Sequence, residues 1–136
     1  MVDPANKGRT FEPFQLIIER GKLREFMLAL GDDNPAYAVE DPPIPPTFST
    51  VITFWGGVGL AAILKSMGVE IFNVLHAEQA YEYLTPMHVG DTISGQSRIE
   101  NVYSKGGMQF VELVTDFKNQ HGQPVLRDTA LVIVRG

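Results

Sequence analysis

Phe48-Ser49-Thr50-Val51-Ile52-Thr53-Phe54-Trp55-Gly56-Gly57-Val58-Gly59-Leu60-Ala61-Ala62-Ile63-Leu64 is the stretch on which the fold turns. It is largely apolar and contains no Asp or Glu. A bilayer-spanning helix needs roughly 20 predominantly apolar residues. This run is shorter, and Ser49, Thr50, Thr53 and three glycines interrupt it. It reads as a buried helix inside a soluble domain. Its apolar residues, Val51, Ile52, Phe54, Trp55, Val58, Leu60, Ala61, Ile63 and Leu64, surround the whole circumference, the pattern of a helix covered on all sides. Thr47, Ser49 and Thr50 are candidate caps. Gly56, Gly57 and Gly59 each weaken a helix by about 1 kcal/mol. They suit close passage of another backbone or of an acyl chain, tight helix-on-sheet packing being at least as good an explanation.

The pattern differs on either side of this run. Upstream, Phe14-Gln15-Leu16-Ile17-Ile18 reads as a short strand ended by Gly21. Residues 22–30 read as a helix, with Leu23, Phe26, Met27 and Leu30 on one face and Gly31 where a C-cap glycine belongs. Asp41-Pro42-Pro43-Ile44-Pro45-Pro46 has four prolines in five positions, which makes a stiff, extended crossing segment. Downstream of Gly68 the period becomes two. Residues 71–84 form a long strand with Leu75, Ala77, Tyr81 and Tyr83 on one face, and Pro86 with Val89-Gly90-Asp91 turns the chain. Residues 92–103, 108–118 and 125–135 are three more strands. Lys105-Gly106-Gly107 is a hairpin turn and residues 119–123 another turn. In the third of the four strands Val111, Leu113 and Phe117 share a face. One long buried helix followed by four antiparallel strands predicts an α+β fold, the antiparallel sheet wrapped around the helix.

Composition narrows the functional classes. The 136 residues are 44% hydrophobic and 20% charged, ordinary for one globular domain over 1–136. A formal charge of −5, with no cluster of Lys and Arg, disfavours nucleic acid as a partner. The absence of Cys removes disulfides, thiol nucleophiles and thiolate ligands. No two His have metal-site spacing, so no metal is expected. No phosphate-binding glycine loop or G-x-S-x-G occurs, and no cofactor is expected. Met1-Val2-Asp3-Pro4-Ala5-Asn6-Lys7 lacks the apolar core of a signal peptide; the cytoplasm is the expected compartment, with no membrane partner.

The chemistry-bearing motif is Gly31-Asp32-Asp33-Asn34-Pro35-Ala36-Tyr37. It resembles the G-D-x-N-P-x-H signature of the MaoC-like dehydratases, the (R)-specific enoyl-thioester hydratases. Pro45-Pro46-Thr47-Phe48 is similar to the P-P-T-F that opens the long helix in the N-terminal, FAS1-like half of that family. Leu75-His76-Ala77-Glu78-Gln79, Tyr81, Pro86 and Gly90-Asp91-Thr92 look like its L-H-G-E-Q…F…P…G-D-T run. The correspondence extends from about Phe14 to Val134. It implies the hot-dog fold, and a thioester of coenzyme A or acyl carrier protein as substrate. Its catalytic positions fall on Asp32 and on Tyr37, which stands where the family has His. It places Asn34, Pro46, Thr47, Phe48, Trp55, His76 and Gln79 along the substrate pocket. Only nine residues separate Tyr37 from Thr47, fewer than the family often has there.

Hydrating an enoyl thioester needs a base for water, an acid for the α-carbon and donors for the developing enolate oxygen. The resemblance implies that Asp and His together hold the water, with backbone N–H groups at the long helix N-terminus as donors. A Tyr, with a reference pKa of about 10 against about 6.5 for His, exchanges protons poorly near neutrality. Tyr37 in place of the His resembles the non-catalytic halves of two-domain and two-subunit dehydratases, and the resemblance implies that role here. The partner is then a catalytic MaoC-like hot-dog subunit or a second copy of this chain. Read without the resemblance, Gly-Asp-Asp-Asn-Pro is a structural turn. Alternation puts His76 and Glu78 on one strand face, where they can form an acid–base pair or line a pocket. His88 and His121 fall in turns. Two other functions compete: a hot-dog acyl-CoA thioesterase, which commonly carries a carboxylate on or beside the long helix, and a non-enzymatic acyl-thioester binding module.

Overall fold

The computed structural model describes residues 1–57 and 59–135. Val58, counted above on the central helix, lies outside the described residues. The elements are β1 (Phe14–Ile17), α1 (Arg20–Leu30), α2 (Ser49–Gly56), α3 (Gly59–Lys65), β2 (Val74–Tyr83), β3 (Thr92–Lys105), β4 (Met108–Lys118) and β5 (Pro124–Val134). Short 3-10 turns occupy Pro4–Asn6, Pro35–Ala38 and Ile71–Asn73. No helix among the described residues is long and apolar enough to cross a membrane.

Local chemistry sets several of these boundaries as expected. Leu23 and Met27, one turn apart on α1, are buried. The helix ends where Gly31 adopts φ 67°, its N–H bonding to Leu28 O while the Asp32 N–H bonds to Met27 O. Gly21 does not interrupt the chain as expected; it sits in the first turn of α1. Gly106 and Gly107, at φ 60° and 78°, close the β3–β4 hairpin with the mirror-image turn that matches strand twist.

The five strands form one antiparallel sheet in the order β1-β3-β4-β5-β2. β3, β4 and β5 are the expected meander. β2 departs from it, crossing over to pair with β5 and leaving the place beside β3 to β1. Reciprocal bonds from Ile18 N to Asp91 O and from Gly90 N to Ile18 O tie the end of that crossing to β1.

The central helix differs from expectation in three ways. It is two helices, because Gly57 leaves helical geometry at φ −113°, ψ −162° and Gly59 takes φ 70°. It is covered on one side only: Val51, Ile52, Ile63 and Leu64 are buried, whereas Phe54 and Trp55 are 65% and 63% exposed. One sheet covers one face of a helix, and among the described residues none forms a layer over the other face. Its N-cap position is Phe48, with no side-chain cap; Ser49 directs its hydroxyl into the sheet instead. The glycines serve packing on a strand. A Cβ at Gly56 would lie 2.9 Å from Gln15 O, and one at Gly57 2.9 Å from the Phe14 ring.

The core is divided. One cluster joins α1 and α2 to Ile93, Phe117 and Leu126; the other joins α3 to Ile99, Val111, Leu113, Val132 and Val134. Between them the inner face of the sheet carries a polar row. Ser97 is paired with Thr115, Thr115 with Asp128, and Asp128 with Tyr81.

Candidate functional site

The motif loop is built from its own side chains. Asp32 Oδ1 accepts from Asn34 N at 3.0 Å, and Asn34 Oδ1 accepts from Ala36 N at 3.0 Å. These are the two local braces that Asp and Asn offer a turn. Asp32 is exposed, and Tyr37 is half-buried against the core. Both line an open hollow of about 310 Å³ beneath α1, together with Arg20, Arg24, Met27 and Leu28. Arg20 donates to the carbonyls of Val39 and Glu40, fastening the segment that follows.

A second cavity, of about 240 Å³, lies between the two helices and the polar row of the sheet. Thr50, Thr53 and Phe54 from α2 and Gly59, Leu60 and Ile63 from α3 form one wall; His76, Gln79, Ser97, Leu113, Thr115, Asp128 and Ala130 form the other. The helix break therefore sits over a hollow, with each half-helix supplying one part of its roof.

A β-bulge sets which residues of β2 reach it. His76 pairs with Val132 and Glu78 with Leu131, leaving Ala77 as the extra residue. Past a bulge the alternation of faces reverses. His76 and Gln79 thus share the inner face, while Glu78 points to the opposite face beside Glu112 and Thr129. His76 and Glu78 do not share a face as the alternation predicted, so they form no acid–base pair, and His76 lines the cavity. The same bulge separates Leu75 from Tyr81 and Tyr83, which the alternation had placed together.

Among the described residues, Asp128 is the one carboxylate that lines this cavity. Its Oδ2 accepts from Ser49 Oγ at 3.2 Å and its Oδ1 accepts from Gln79 Nε2. Burial pushes its carboxyl up from the usual range, and the Gln79 and Ser49 hydrogen bonds and the nearby His76 offset only part of that. Beside it Ser97 and Thr115, both buried, share a 2.8 Å hydroxyl–hydroxyl bond. Burial also raises the phenol of Tyr83, with Tyr81 and Asp128 acting in the same direction; the Tyr83 hydroxyl donates to Pro46 O. On the outer face Asp116 behaves oppositely. Burial pushes it up, but hydrogen bonds from Arg127 and Arg98 outweigh that and hold it below the usual range.

The expected site residues fall in separate places. Asp32, Asn34 and Tyr37 belong to the motif hollow or its turn. His76 and Gln79 line the sheet cavity. Pro46 offers its carbonyl to Tyr83, and Thr47 is exposed. Phe48 is fully enclosed, edge-on to Phe26, and shapes the core. Trp55 lies outside, with the Lys22 ammonium 5.2 Å from its ring centroid. His88 is exposed, its Nδ1 3.3 Å from Asp41 Oδ1. Asp128, Ser49, Ser97 and Thr115 were absent from the expected set. Strand parity carried a signal for Asp128, since Leu126, Asp128, Ala130 and Val132 alternate onto the core face of β5.

A family model described as FAS1-like, dehydratase domain region, matches residues 5–128. A UPF0336 protein of Streptomyces griseus is 30% identical over 144 residues, covering 98% of this chain and 95% of that protein. The C-terminally truncated HadBC complex of Mycobacterium tuberculosis, a (3R)-hydroxyacyl-ACP dehydratase, contains a chain similar in fold. Its TM-score is 0.78 at 20% identity, over 94% of this chain and 96% of that one. A MaoC-like dehydratase from Phytophthora capsici matches with TM-score 0.82 at 21% identity, over 100% of this chain and 50% of that one. With the antiparallel sheet packed on the central helices, these likenesses show the hot-dog fold. The chain belongs to the FAS1-like dehydratase domain family.

Proposed function

We propose that this chain is the non-catalytic half of an (R)-specific enoyl-thioester hydratase, working on acyl groups carried by coenzyme A or acyl carrier protein. A partner hot-dog subunit supplies the Asp–His pair; a second copy of this chain, carrying the same Tyr37, would serve only as a structural partner. This half contributes acyl-pocket surface and stabilises its partner.

The observation that carries the reading is the state of the motif loop. Tyr37 stands at the His position, and Asp32 accepts a hydrogen bond from its own turn. Neither His76 nor His88 lines that hollow. The name of the similar HadBC structure, a dehydratase complex, supports a partnered arrangement. So does the sheet: β2 is a terminal strand of ten residues, and long sheet edges need cover.

The test is steady-state hydration of crotonyl-CoA by the purified chain. Loss of a positioned general base lowers rate by about 10²–10⁴-fold, so hydration is expected to be very slow or absent. An ordinary turnover, on the order of 10 s⁻¹, would overturn the assignment. One observation favours a second reading, thioester hydrolysis: Asp128 reaches from β5 to the first residue of α2. A free-thiol assay on the same samples separates the two, since hydrolysis releases a thiol and hydration does not.

A further inference from the structure

The sheet cavity has a feature that an acyl pocket does not need. Phe54, Leu60, Ile63, Leu113 and Ala130 give it apolar surface, with Thr50, Thr53 and His76 set among them. Its floor is a carboxylate. No Lys or Arg lines it. Arg127, next to Asp128 in sequence, points to the opposite face of the sheet and is engaged with Asp116 at 2.7 Å. Asp128 therefore faces the cavity, partly buried, with His76 rather than a Lys or Arg as the basic group beside it.

Counting hydrogen-bonding capacity shows what the floor asks for. An ionised carboxylate has about four acceptor sites. Ser49 and Gln79 fill one on each oxygen, which leaves about two. The Ser97–Thr115 pair has two hydroxyl protons, and its mutual bond uses one. The floor thus presents surplus acceptors and one spare hydroxyl donor, and the Thr50 and Thr53 hydroxyls and the His76 ring add further polar groups to the lining. A ligand hydroxyl, both donor and acceptor, matches that set. It also remains matched when the carboxyl is protonated, a state that burial favours. An unsubstituted methyl terminus would exclude water from the carboxylate's open acceptor sites and offer no hydrogen bond in its place.

Size sets which part of a ligand enters. The cavity, about 240 Å³, is smaller than the roughly 300–1,000 Å³ of sites that enclose a whole drug-sized ligand. It admits one end of a chain. Asp32 and Tyr37 line no part of it, and in the reading above the reacting thioester carbons lie with the partner's Asp–His pair. The end that enters is therefore the one far from the thioester.

We infer that this cavity takes the distal end of an acyl chain bearing a hydroxyl group, and that Asp128, held by Ser49 and Gln79, selects hydroxylated over plain acyl chains. The inference rests on the acyl-pocket reading of this chain and names the substrate class for it. Asp128 is a specificity residue and takes no part in the chemistry.

The experiment is calorimetric titration of the full chain with two N-acetylcysteamine thioesters, octanoyl and ω-hydroxyoctanoyl. The ω-hydroxy ligand is expected to bind about tenfold more tightly, because a site built around a hydroxyl rejects the analogue that lacks it. Asp128→Leu should abolish or reverse the preference, and Asp128→Asn, which keeps the shape and one acceptor oxygen, should reduce it. Circular dichroism checks that each variant is folded, and the Asn variant alone decides if the Leu variant is not. Equal binding of the two thioesters to the unmodified chain would overturn the inference while leaving the acyl pocket standing. Undiminished preference in Asp128→Asn would do the same. Failure of both thioesters to bind would overturn the acyl-pocket reading and the inference with it.

Discussion

Asp32 and Asp128 occupy opposite kinds of place. Asp32 belongs to the most recognisable motif of the chain, yet it is exposed, and its recorded hydrogen bond braces its own loop. Asp128 lies on a strand of ordinary period-two pattern, in no recognisable motif. It lies on the floor of a cavity between two helices, held by side chains 79 and 49 residues away in the chain. Local bonds can be written in a short motif, because the partners are two residues apart. A site assembled from α2, β2 and β5 has no such signature; its residues are neighbours only in three dimensions. The difference teaches that a motif can be written in local bonds, while polar groups that face a cavity are brought together only by the fold.

The sharpest way to break this comparison is to remove the anchors rather than the acids. Ser49→Ala takes away a buried donor to Asp128 and leaves an acceptor short in a partly desolvated place. The expected loss in unfolding free energy is about 1–2 kcal/mol, read from urea denaturation at neutral pH. Asn34→Ala, which removes the corresponding brace in the motif loop, exposes its partner to water and should cost less. If the two losses are equal, the cavity is no more demanding of its hydrogen bonds than the loop is of its own.

How much could be read from the chain alone follows the same division. Gly31 marked the end of α1, and Gly106-Gly107 the hairpin, because each glycine answers a local dihedral requirement. The period-two runs placed β3, β4 and β5. The helix break was not legible: three glycines in four positions announce weakness, but the discontinuity depends on how closely Gly56 and Gly57 sit on β1. The bulge at Ala77 was not legible either, because no residue of Leu75-His76-Ala77-Glu78-Gln79 requires it; pairing with β5 does. That single extra residue moved Glu78 out of the cavity and Gln79 into it. Asp128 was legible in part. Parity puts it on the core face of β5, and a carboxylate there is an anomaly. The hydrogen bonds that make it a site come from other elements.

Acid titration separates Asp128 from the carboxylates around it by sign. Its carboxyl is raised in the folded protein, burial being the first cause. Above its ordinary value of 3.8 the unfolded chain releases the proton first, the folded chain holds more protons, and stability falls as pH rises. Asp128→Asn removes this dependence. The variant should therefore gain on the unmodified protein as pH is raised from below 3.8 toward neutrality, and the gain should level off above the folded-state pKa. Asp116 runs the other way. Its Arg127 and Arg98 bonds outweigh burial and lower it, so its contribution is present above 3.8 and lost as pH falls through the folded-state value. Asp116→Asn should cost stability at neutral pH and nothing in strong acid. Urea denaturation of both variants across this range checks the pair. A difference between Asp128→Asn and the unmodified protein that stays constant with pH would show that Asp128 is as well solvated as an ordinary surface carboxylate.

The smallest effect is expected at the residue that the motif singles out. Asp32→Asn keeps an oxygen that can accept from Asn34 N, so the turn survives, and unfolding free energy should move by no more than about 0.5 kcal/mol. Asn cannot take a proton. If Asp32 only braces the loop, a complex reconstituted with the catalytic partner should lose less than about fivefold in hydratase rate, at most about 1 kcal/mol in the barrier. If Asp32 and Tyr37 together hold a reacting water in their shared hollow, the same change should remove more than about a hundredfold, because a general base is then missing. A loss of that size, with the fold and the complex shown intact, would return Asp32 to the chemistry and make this chain's own loop, not only the partner's, an active site.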